Sequence, residues 1–484
     1  MNIYVSDPIH SKGLITLLKA FYPFESFELA DYEQSTFVFV IKTDQISVAY
    51  FNEKKLTLNK SLSKIELTAI GALEGKAKNH LINVKLRAYT YDLLSDLTGI
   101  CLPWGILVGI RPTKLGLMYY KRLGDYKRVE AKLCETYRVS PEKAALLTEV
   151  LRREEPFLSH NPEDHSVYIG VPFCPSKCSY CTFPSYRADK WPEAYASYTE
   201  ALIQEMEAGK EWFRTCTSVY IGGGTPTSLL EADFDQLIEK VRALIGERDI
   251  EWTVEAGRPD SITQLKLESM LKYGVTRISI NPQTMQNHTL EIIGRHHDSE
   301  SIVDCFQMAR DMGFEHINMD LILGLPGEGI EDVKSTFDQI LDLGPESITV
   351  HTLAFKRGSQ LSEEMEKYLI KGIDDLQTSI DFVQKTMSEH LYSPYYLYRQ
   401  KQMVGQLENV GYCKMGCEGA YNIRSMEEVE SIVAFGAGGI SKRVNGHKIK
   451  RLEQPKDVKT YLEKLTTIIR NKEEFFDVII EKGQ

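Results

Sequence analysis

The sequence predicts an α/β protein built on a partial (β/α)6 barrel, with an N-terminal α+β domain before it and a smaller C-terminal domain after it. Three observations carry this. Six short apolar runs alternate with amphipathic segments from Val167 to Gly358, the pattern of parallel strands joined by right-handed helical crossovers. Glycines and polar residues collect at or just past the ends of those runs, as they do around the mouth of a barrel. The first 151 residues follow another pattern, and a charged, proline-containing stretch, RREEPFLSHNPEDHS, divides the two.

In chain order, NIYV, TFVFVI and ISVAYF read as strands from their β-branched and aromatic content, and the stretches around Leu14–Phe21, Leu81–Leu97 and Pro141–Leu151 read as helices. Residues 1–151 therefore form the α+β domain and 152–166 the linker. The barrel, 167–358, takes its strands from VYIGV, SVYIGG, EWTVEA, RISI, INMDLILG and SITVHTL. Its helices lie near Glu193–Gly209, Asp233–Leu244, Thr263–Lys272, Ser299–Met312 and Glu331–Leu341. An open doubly wound sheet fits the alternation equally well, and the placing of the polar residues favours the barrel. From 359 to 484 the regularity gives way to helical segments, an aromatic piece, SPYYLYRQKQ, and a glycine-rich one, AFGAGGISKR.

Composition excludes several classes. The 484 residues are 43% hydrophobic without any apolar run long enough to span a bilayer, and MNIYVSDPIH has neither the basic nor the apolar region of a signal peptide. A cytoplasmic protein is expected. Nine cysteines, an odd number scattered along the chain, suit a reducing compartment better than a disulfide framework. The net charge of -11 argues against nucleic acid as a partner. The basic stretch from Arg111 to Arg128, with Lys114, Lys121, Arg122 and Lys127, reads as a solvated helix face.

The densest chemistry is C-x3-C-x2-C after the first strand: Cys174, Cys178 and Cys181 in YIGVPFCPSKCSYCTF. Three thiolates so close can hold three irons of a [4Fe-4S] cube and leave the fourth open to a small ligand. Structural zinc is the alternative, and His165 is the only fourth ligand near in sequence. IGGGTPTSL follows the second strand; its glycines let a ligand approach the backbone, and it matches neither a dinucleotide fingerprint nor a P-loop. Tyr180 and Phe183 would wall the cluster, although core packing explains them equally well.

Glu255, Gln283, Arg295 and Asp320 are the polar candidates of the later strands, Asp320 foremost because it interrupts an apolar strand and a buried carboxylate needs a partner. His296, His297 and His351 read as structural. Cys413 and Cys417 have too few thiols around them for a second cluster.

With GGGTPT after the second strand, ISINPQT after the fourth and MDLILGLPGE in the fifth, the cysteine array resembles the radical S-adenosylmethionine (SAM) superfamily. Within it the chain is most similar to the HemN-like branch. PWGILVGIRPTK, ENVGYCKMGCEGAYN and FGAGGISK resemble the HemZ type of oxygen-independent coproporphyrinogen III oxidase. The resemblance spans essentially the whole chain. It implies a [4Fe-4S] cluster on Cys174, Cys178 and Cys181, with SAM on the fourth iron. It implies SAM contacts at Tyr168, Tyr180, Gly223, Gly224, Thr225, Glu255, Gln283, Arg295 and Asp320. The implied reaction turns two propionates of coproporphyrinogen III into vinyl groups, fed by an electron donor such as flavodoxin or ferredoxin. Arg187, Lys190, Arg258, Lys356 and Arg357 are candidates for the substrate carboxylates.

Two departures stand out. Phe183 occupies a position where the oxidases carry a further cysteine and the heme-chaperone branch carries phenylalanine. The N-terminal domain replaces a short lead-in. A heme chaperone of the same fold, with heme in place of the porphyrinogen as ligand, and another radical SAM tetrapyrrole enzyme are the alternatives within the superfamily; outside it, the alternative is a zinc-stabilised RNA-binding protein using the basic stretch from Arg111 to Arg128.

Overall fold

The structure, a computed structural model, describes residues 1–477 except 24, 43–44, 53–54, 109–110, 159–160, 162, 183–185, 188–192, 355–372, 400–406 and 447. Contacts divide the chain into two units, Met1–Leu151 with Arg399–Glu408, and Arg152–Tyr398 with Asn409–Gln484.

The N-terminal unit carries a five-stranded sheet in the order Glu28–Leu29, Asn2–Val5, Phe37–Ile41, Ile46–Asn52, Lys55–Ser61. Its first three strands are parallel and the last two antiparallel. Helices Ser11–Phe21 and Gly75–Thr98 pack on each other, and the long one also covers the last two strands. The basic stretch folds as two helices, Pro112–Leu123 and Tyr126–Tyr137, with Lys121, Arg122, Lys127 and Arg128 exposed. Segment 399–408 belongs here through Glu408, which is buried, ion-paired with Lys143 at 2.7 Å, and accepts the Trp104 indole N–H at 2.6 Å. The last helix of the region, Pro141–Glu154, runs three residues into the stretch read as linker.

The second unit is organised by one eleven-stranded sheet. Its strands in chain order are β1 (His165–Val171), β2 (Ser218–Gly223), β3 (Glu251–Gly257), β4 (Arg277–Ile280), β5 (Ile317–Leu323), β6 (Ser347–Thr352), β7 (Ser393–Tyr398), β8 (Asn409–Cys413), β9 (Ser431–Phe435), β10 (Ile440–Asn445) and β11 (Lys448–Glu453). Strands β1 to β6 are mutually parallel and lie in sequential order. A doubly wound sheet reverses its order at a switch point; this one never does, so the partial (β/α)6 barrel is the architecture. Helices α1 (Glu193–Ala208), α2 (Glu231–Ile245), α3 (Gln264–Tyr273), α4 (Ser299–Asp311) and α5 (Ile330–Leu343) fill the crossovers.

Strands β7 to β11 extend this same sheet at both edges. β8 pairs antiparallel with β6 and carries β7, while β9 pairs parallel with β1 and carries the β10–β11 hairpin. Helix Leu465–Asp477 is fastened by Lys472, which is ion-paired with fully buried Glu205 of α1. Glu205 also accepts from the Tyr461 hydroxyl (2.6 Å), the Gly436 N–H (2.8 Å) and Gln454. No helix among the described residues is long and apolar enough to cross a membrane.

Side chains alternate between faces along a strand, and here the alternation separates two chemistries. One face carries Val167, Ile169, Val219, Ile221, Trp252, Val254, Ile278, Ile280, Met319, Leu321, Ile348 and Val350, all buried. The other carries Tyr168, Tyr220, Glu251, Thr253, Glu255, Ser279, Asn318, Asp320, Thr349 and His351, brought side by side by the pairing register. An inner face this polar is not a packed core, so it is where a polar ligand belongs.

Candidate cofactor site

Cys174 lies at the end of a two-residue strand just past β1, and Cys178 and Cys181 follow in a turn closed by the Cys181 N–H on the Cys178 carbonyl (3.1 Å). The loop is pinned from the turn that follows the short helix Asn287–Ile292. Ser176 donates through its hydroxyl to the Gly294 carbonyl (2.9 Å), and the Ser179 N–H donates to the Ile293 carbonyl (3.0 Å). Burial pushes the Cys174 thiol up to about 11; the Thr225 hydroxyl, donating to its sulfur at 3.6 Å, opposes this, while the neighbouring Cys181 and Cys178 add to it. Buried thiols this close do not all ionise without a compensating positive charge, which bound iron provides.

His165 sits at the opposite end of β1, its ring nitrogens 2.9 Å and 3.3 Å from the carbonyls of Trp212 and Glu163. It is not a fourth ligand. Cys174, Cys178 and Cys181 are close enough to interact electrostatically, and a cube takes one thiolate per iron. The donor set therefore fits a cluster with one iron left open.

The glycine turn after β2 packs against the start of this loop. The Gly224 N–H donates to the Val171 carbonyl and the Thr225 N–H to the Phe173 carbonyl, each at 2.7 Å. A Cβ on Gly224 would lie 2.4 Å from the Phe173 carbonyl oxygen, and one on Gly222 2.8 Å from the Glu255 carboxylate. Gly223, at φ 112°, donates its own N–H to Glu255. All three amides of the turn are thus engaged inside the protein. What it has left for a ligand is carbonyl oxygen, which suits an ammonium group.

Glu255 and Asp320 sit on the inner face with different environments. Burial raises Glu255 to about 7, with the Tyr220 hydroxyl pulling down, Asp320 pushing up, and the Gly223 N–H and His351 pulling down. Burial also works to raise Asp320, but His351, Asn318 and Thr349 outweigh it and hold Asp320 below the usual range. The Asn318 amide donates to Asp320 Oδ1 at 2.7 Å, and His351 Nε2 lies 3.7 Å from Oδ2 while its Nδ1 is 3.0 Å from the Tyr398 hydroxyl.

Arg295 is buried behind the cysteine loop. It donates to the Asn281 carbonyl, to the Tyr180 hydroxyl (3.3 Å) and to Cys178. Burial opposes its charge, yet Tyr180 and Cys178 more than restore it. Gln283 holds a left-handed backbone at φ 69°, fixed by its N–H on the Asp320 carbonyl and its own carbonyl receiving the Ile322 N–H, both 2.9 Å. A non-glycine residue strained in this way is held by its surroundings.

Of the substrate-binding candidates, Arg258 is already committed: it is 2% exposed, paired with both oxygens of Asp260 (2.9 and 2.6 Å), and donates to the Ser176 hydroxyl at 2.7 Å. It braces the cysteine loop through Ser176. Lys190, Lys356, Arg357 and Phe183 lie outside the described residues, as does the side chain of Arg187. Beside Arg258, His297 is driven down to about 4 by burial, with Arg295 and Arg258 adding and Asp260 opposing. His296 is exposed. Cys413 is buried and Cys417 partly so, beside Tyr395 and Tyr396 on the C-terminal side of the sheet.

Sequence reasoning missed Tyr220, Tyr421, Tyr398 and Asn318. Tyr220 was within reach of it: two residues before Gly222, it shares a face with that glycine, opposite Tyr168.

Residues 168–340 match the family model of the radical SAM superfamily. The chain is 42% identical over 410 residues to the oxygen-independent coproporphyrinogen-III oxidase-like protein HemZ of Bacillus subtilis (strain 168), spanning 82% of this chain and 81% of that one. It is 31% identical over 280 residues to the heme chaperone HemW of the same organism, spanning 56% and 69%. Among solved structures, coproporphyrinogen III oxidase (HemN) from Escherichia coli, described as a radical SAM enzyme, shares the fold with a TM-score of 0.50 at 22% identity, over 64% of this chain and 71% of that one.

Proposed function

We propose, from the premise that the chain belongs to the radical SAM superfamily and to its HemZ-like, oxygen-independent coproporphyrinogen-III oxidase-like proteins, that it converts propionates of coproporphyrinogen III to vinyl groups and so forms protoporphyrinogen IX. The observation that supports this most is the meeting of three thiols with a glycine turn whose amides are all engaged, at the end of a barrel with a polar inner face.

In this reading Cys174, Cys178 and Cys181 hold the [4Fe-4S] cluster and leave its fourth iron to SAM. Carbonyl oxygens of the turn at Gly223 and Gly224 accept from the SAM ammonium, with Thr225 bracing Cys174. Glu255 and Asp320 accept from ribose hydroxyls. Gln283, Arg295, Tyr168 and Tyr180 complete the pocket. Bound together, the cofactors supply a one-electron cleavage that ends in hydrogen-atom abstraction from the substrate. The chain's own work is to orient them, to hold Asp320 ionised through His351 and Asn318, and to keep water away. An electron donor such as flavodoxin or ferredoxin is required. A cytoplasmic setting agrees with nine free cysteines.

Identity to HemW supports a second reading, a heme chaperone that makes no vinyl product. Anaerobically reconstituted protein with SAM, a reductant and coproporphyrinogen III separates the two. Tripropionate and dipropionate porphyrins are expected. Deoxyadenosine without decarboxylated porphyrin rejects the oxidase, and tight stoichiometric heme binding then favours the chaperone.

A further inference from the structure

Glu255 is held by a column of rings. Its Oε1 accepts from the Tyr220 hydroxyl at 2.6 Å. The Tyr220 ring stacks on Tyr168 of β1 (centroids 6.2 Å apart, 15° between planes) and on Tyr421 (4.5 Å, 19°). Tyr421 opens the helix Ala420–Glu427, whose first N–H groups, those of Ala420 and Tyr421, each donate at 2.8 Å to the carboxylate of Glu251. Glu251 and Glu255 share the inner face of β3. One strand thus anchors the helix at one end and presents the carboxylate at the other, with stacked tyrosines between.

The carboxylate has one place to be. Gly222 lies against it so closely that a Cβ there would come within 2.8 Å, and Tyr220 occupies another side. The groups that face it are Tyr220 and Gly223 on β2, Tyr168 on β1, Asp320 on β5, His351 on β6 and Tyr421 on the helix. Two of these donate hydrogen bonds to it, the Tyr220 hydroxyl and the Gly223 amide.

We propose that Tyr220, backed by Tyr421, is a positioning residue that fixes the orientation and ionisation of Glu255 for the cofactor's ribose hydroxyls, which makes the helix Ala420–Glu427 part of the cofactor site. This rests on the reading of Glu255 as a SAM contact. A diol donates to a carboxylate, so binding needs the ionised form. A phenol donor favours that form, and its removal shifts the carboxyl toward the neutral acid.

The test is Tyr220→Phe, which keeps both ring stacks and removes only the hydroxyl. In reconstituted full-length protein without SAM, the infrared band of the protonated Glu255 carboxyl, assigned by its loss in Glu255→Gln, titrates near neutrality. In Tyr220→Phe its midpoint moves up by about one pH unit. SAM affinity, read by equilibrium dialysis, falls about fivefold at pH 7, as the ionised fraction of Glu255 drops, and recovers at alkaline pH. An unmoved midpoint overturns the proposal and leaves the SAM assignment of Glu255 standing. A loss of affinity equal at every pH also overturns it, since that is what a merely structural phenol would give. If the midpoint moves while Glu255→Gln binds SAM as the unaltered protein does, the proposal falls together with the assignment of Glu255.

Discussion

Gly224→Ala tests the contact on which the site is built. The backbone there is not in the left-handed region, so the substitution carries no conformational penalty of its own; the whole effect is steric. Its new Cβ would stand 2.4 Å from the Phe173 carbonyl oxygen and 3.0 Å from the Phe173 carbonyl carbon and amide nitrogen. Those are backbone atoms, which cannot swing aside as a side chain can. Relief requires the turn and the cysteine loop to separate, stretching the hydrogen bonds from Gly224 to Val171 and from Thr225 to Phe173. Overpacking costs about 1–3 kcal/mol, and each weakened backbone bond adds up to about 1 kcal/mol, giving about 2–4 kcal/mol in all. For a unit of this size that lowers the melting temperature by about 3–6 °C. The assay pairs a thermal melt of the apoprotein with iron content and visible absorbance after anaerobic reconstitution. Gly71→Ala is the comparison, since nothing lies within 4 Å of its Cβ, and a change within about 0.5 kcal/mol is expected there. If Gly224→Ala retains full iron loading and melts with the Gly71→Ala protein, the close approach does not brace the cysteine loop and the reasoning fails.

The other predictions follow from buried charges. Glu255 titrates at about 7 in the folded protein against 4.5 as its ordinary value, so the folded state holds a proton that the unfolded state has lost. Stability should therefore fall as pH rises from about 4.5 to 7, by about 3 kcal/mol at most, and Glu255→Gln should flatten that slope in urea titrations of the apoprotein. Lys472→Met strands Glu205 in the interior and should cost about 3–5 kcal/mol, read by urea denaturation, with the added change Glu205→Gln recovering much of it. Arg258→Lys loses the two-pronged grip on Asp260 and Ser176; about 1.5–3 kcal/mol of bracing disappears, and iron should be stripped faster by a chelator with little change in overall helix content. Replacing any one of Cys174, Cys178 and Cys181 by serine should abolish the visible absorbance of reconstituted protein.

What could be read from the chain was what local spacing encodes. The six barrel strands were found because period-two apolar runs between amphipathic segments are a short-range signal. The cysteine loop and the glycine turn were found because their chemistry lies within a few consecutive residues. The polar residues at strand ends, Glu255, Gln283 and Asp320, came from the same logic. The choice between barrel and doubly wound sheet came close from polar placement, and the sequential strand order decided it.

Only the tertiary structure decided what those groups touch. Arg258 stood near a strand end like a substrate ligand, yet Asp260 and Ser176 consume it. Strands β7 to β11 extend the sheet at both edges, through pairings such as β6 with β8 and β1 with β9 that join strands far apart in sequence. Tyr421 reaches Tyr220 across two hundred residues, and no periodicity records such a meeting. The physical reason is that a residue's direction follows from local backbone geometry, whereas its partner and its desolvation depend on which distant surfaces close over it. The cysteine array was legible in the sequence; the amide-saturated turn and the tyrosine column around the carboxylate appear only once the sheet has formed.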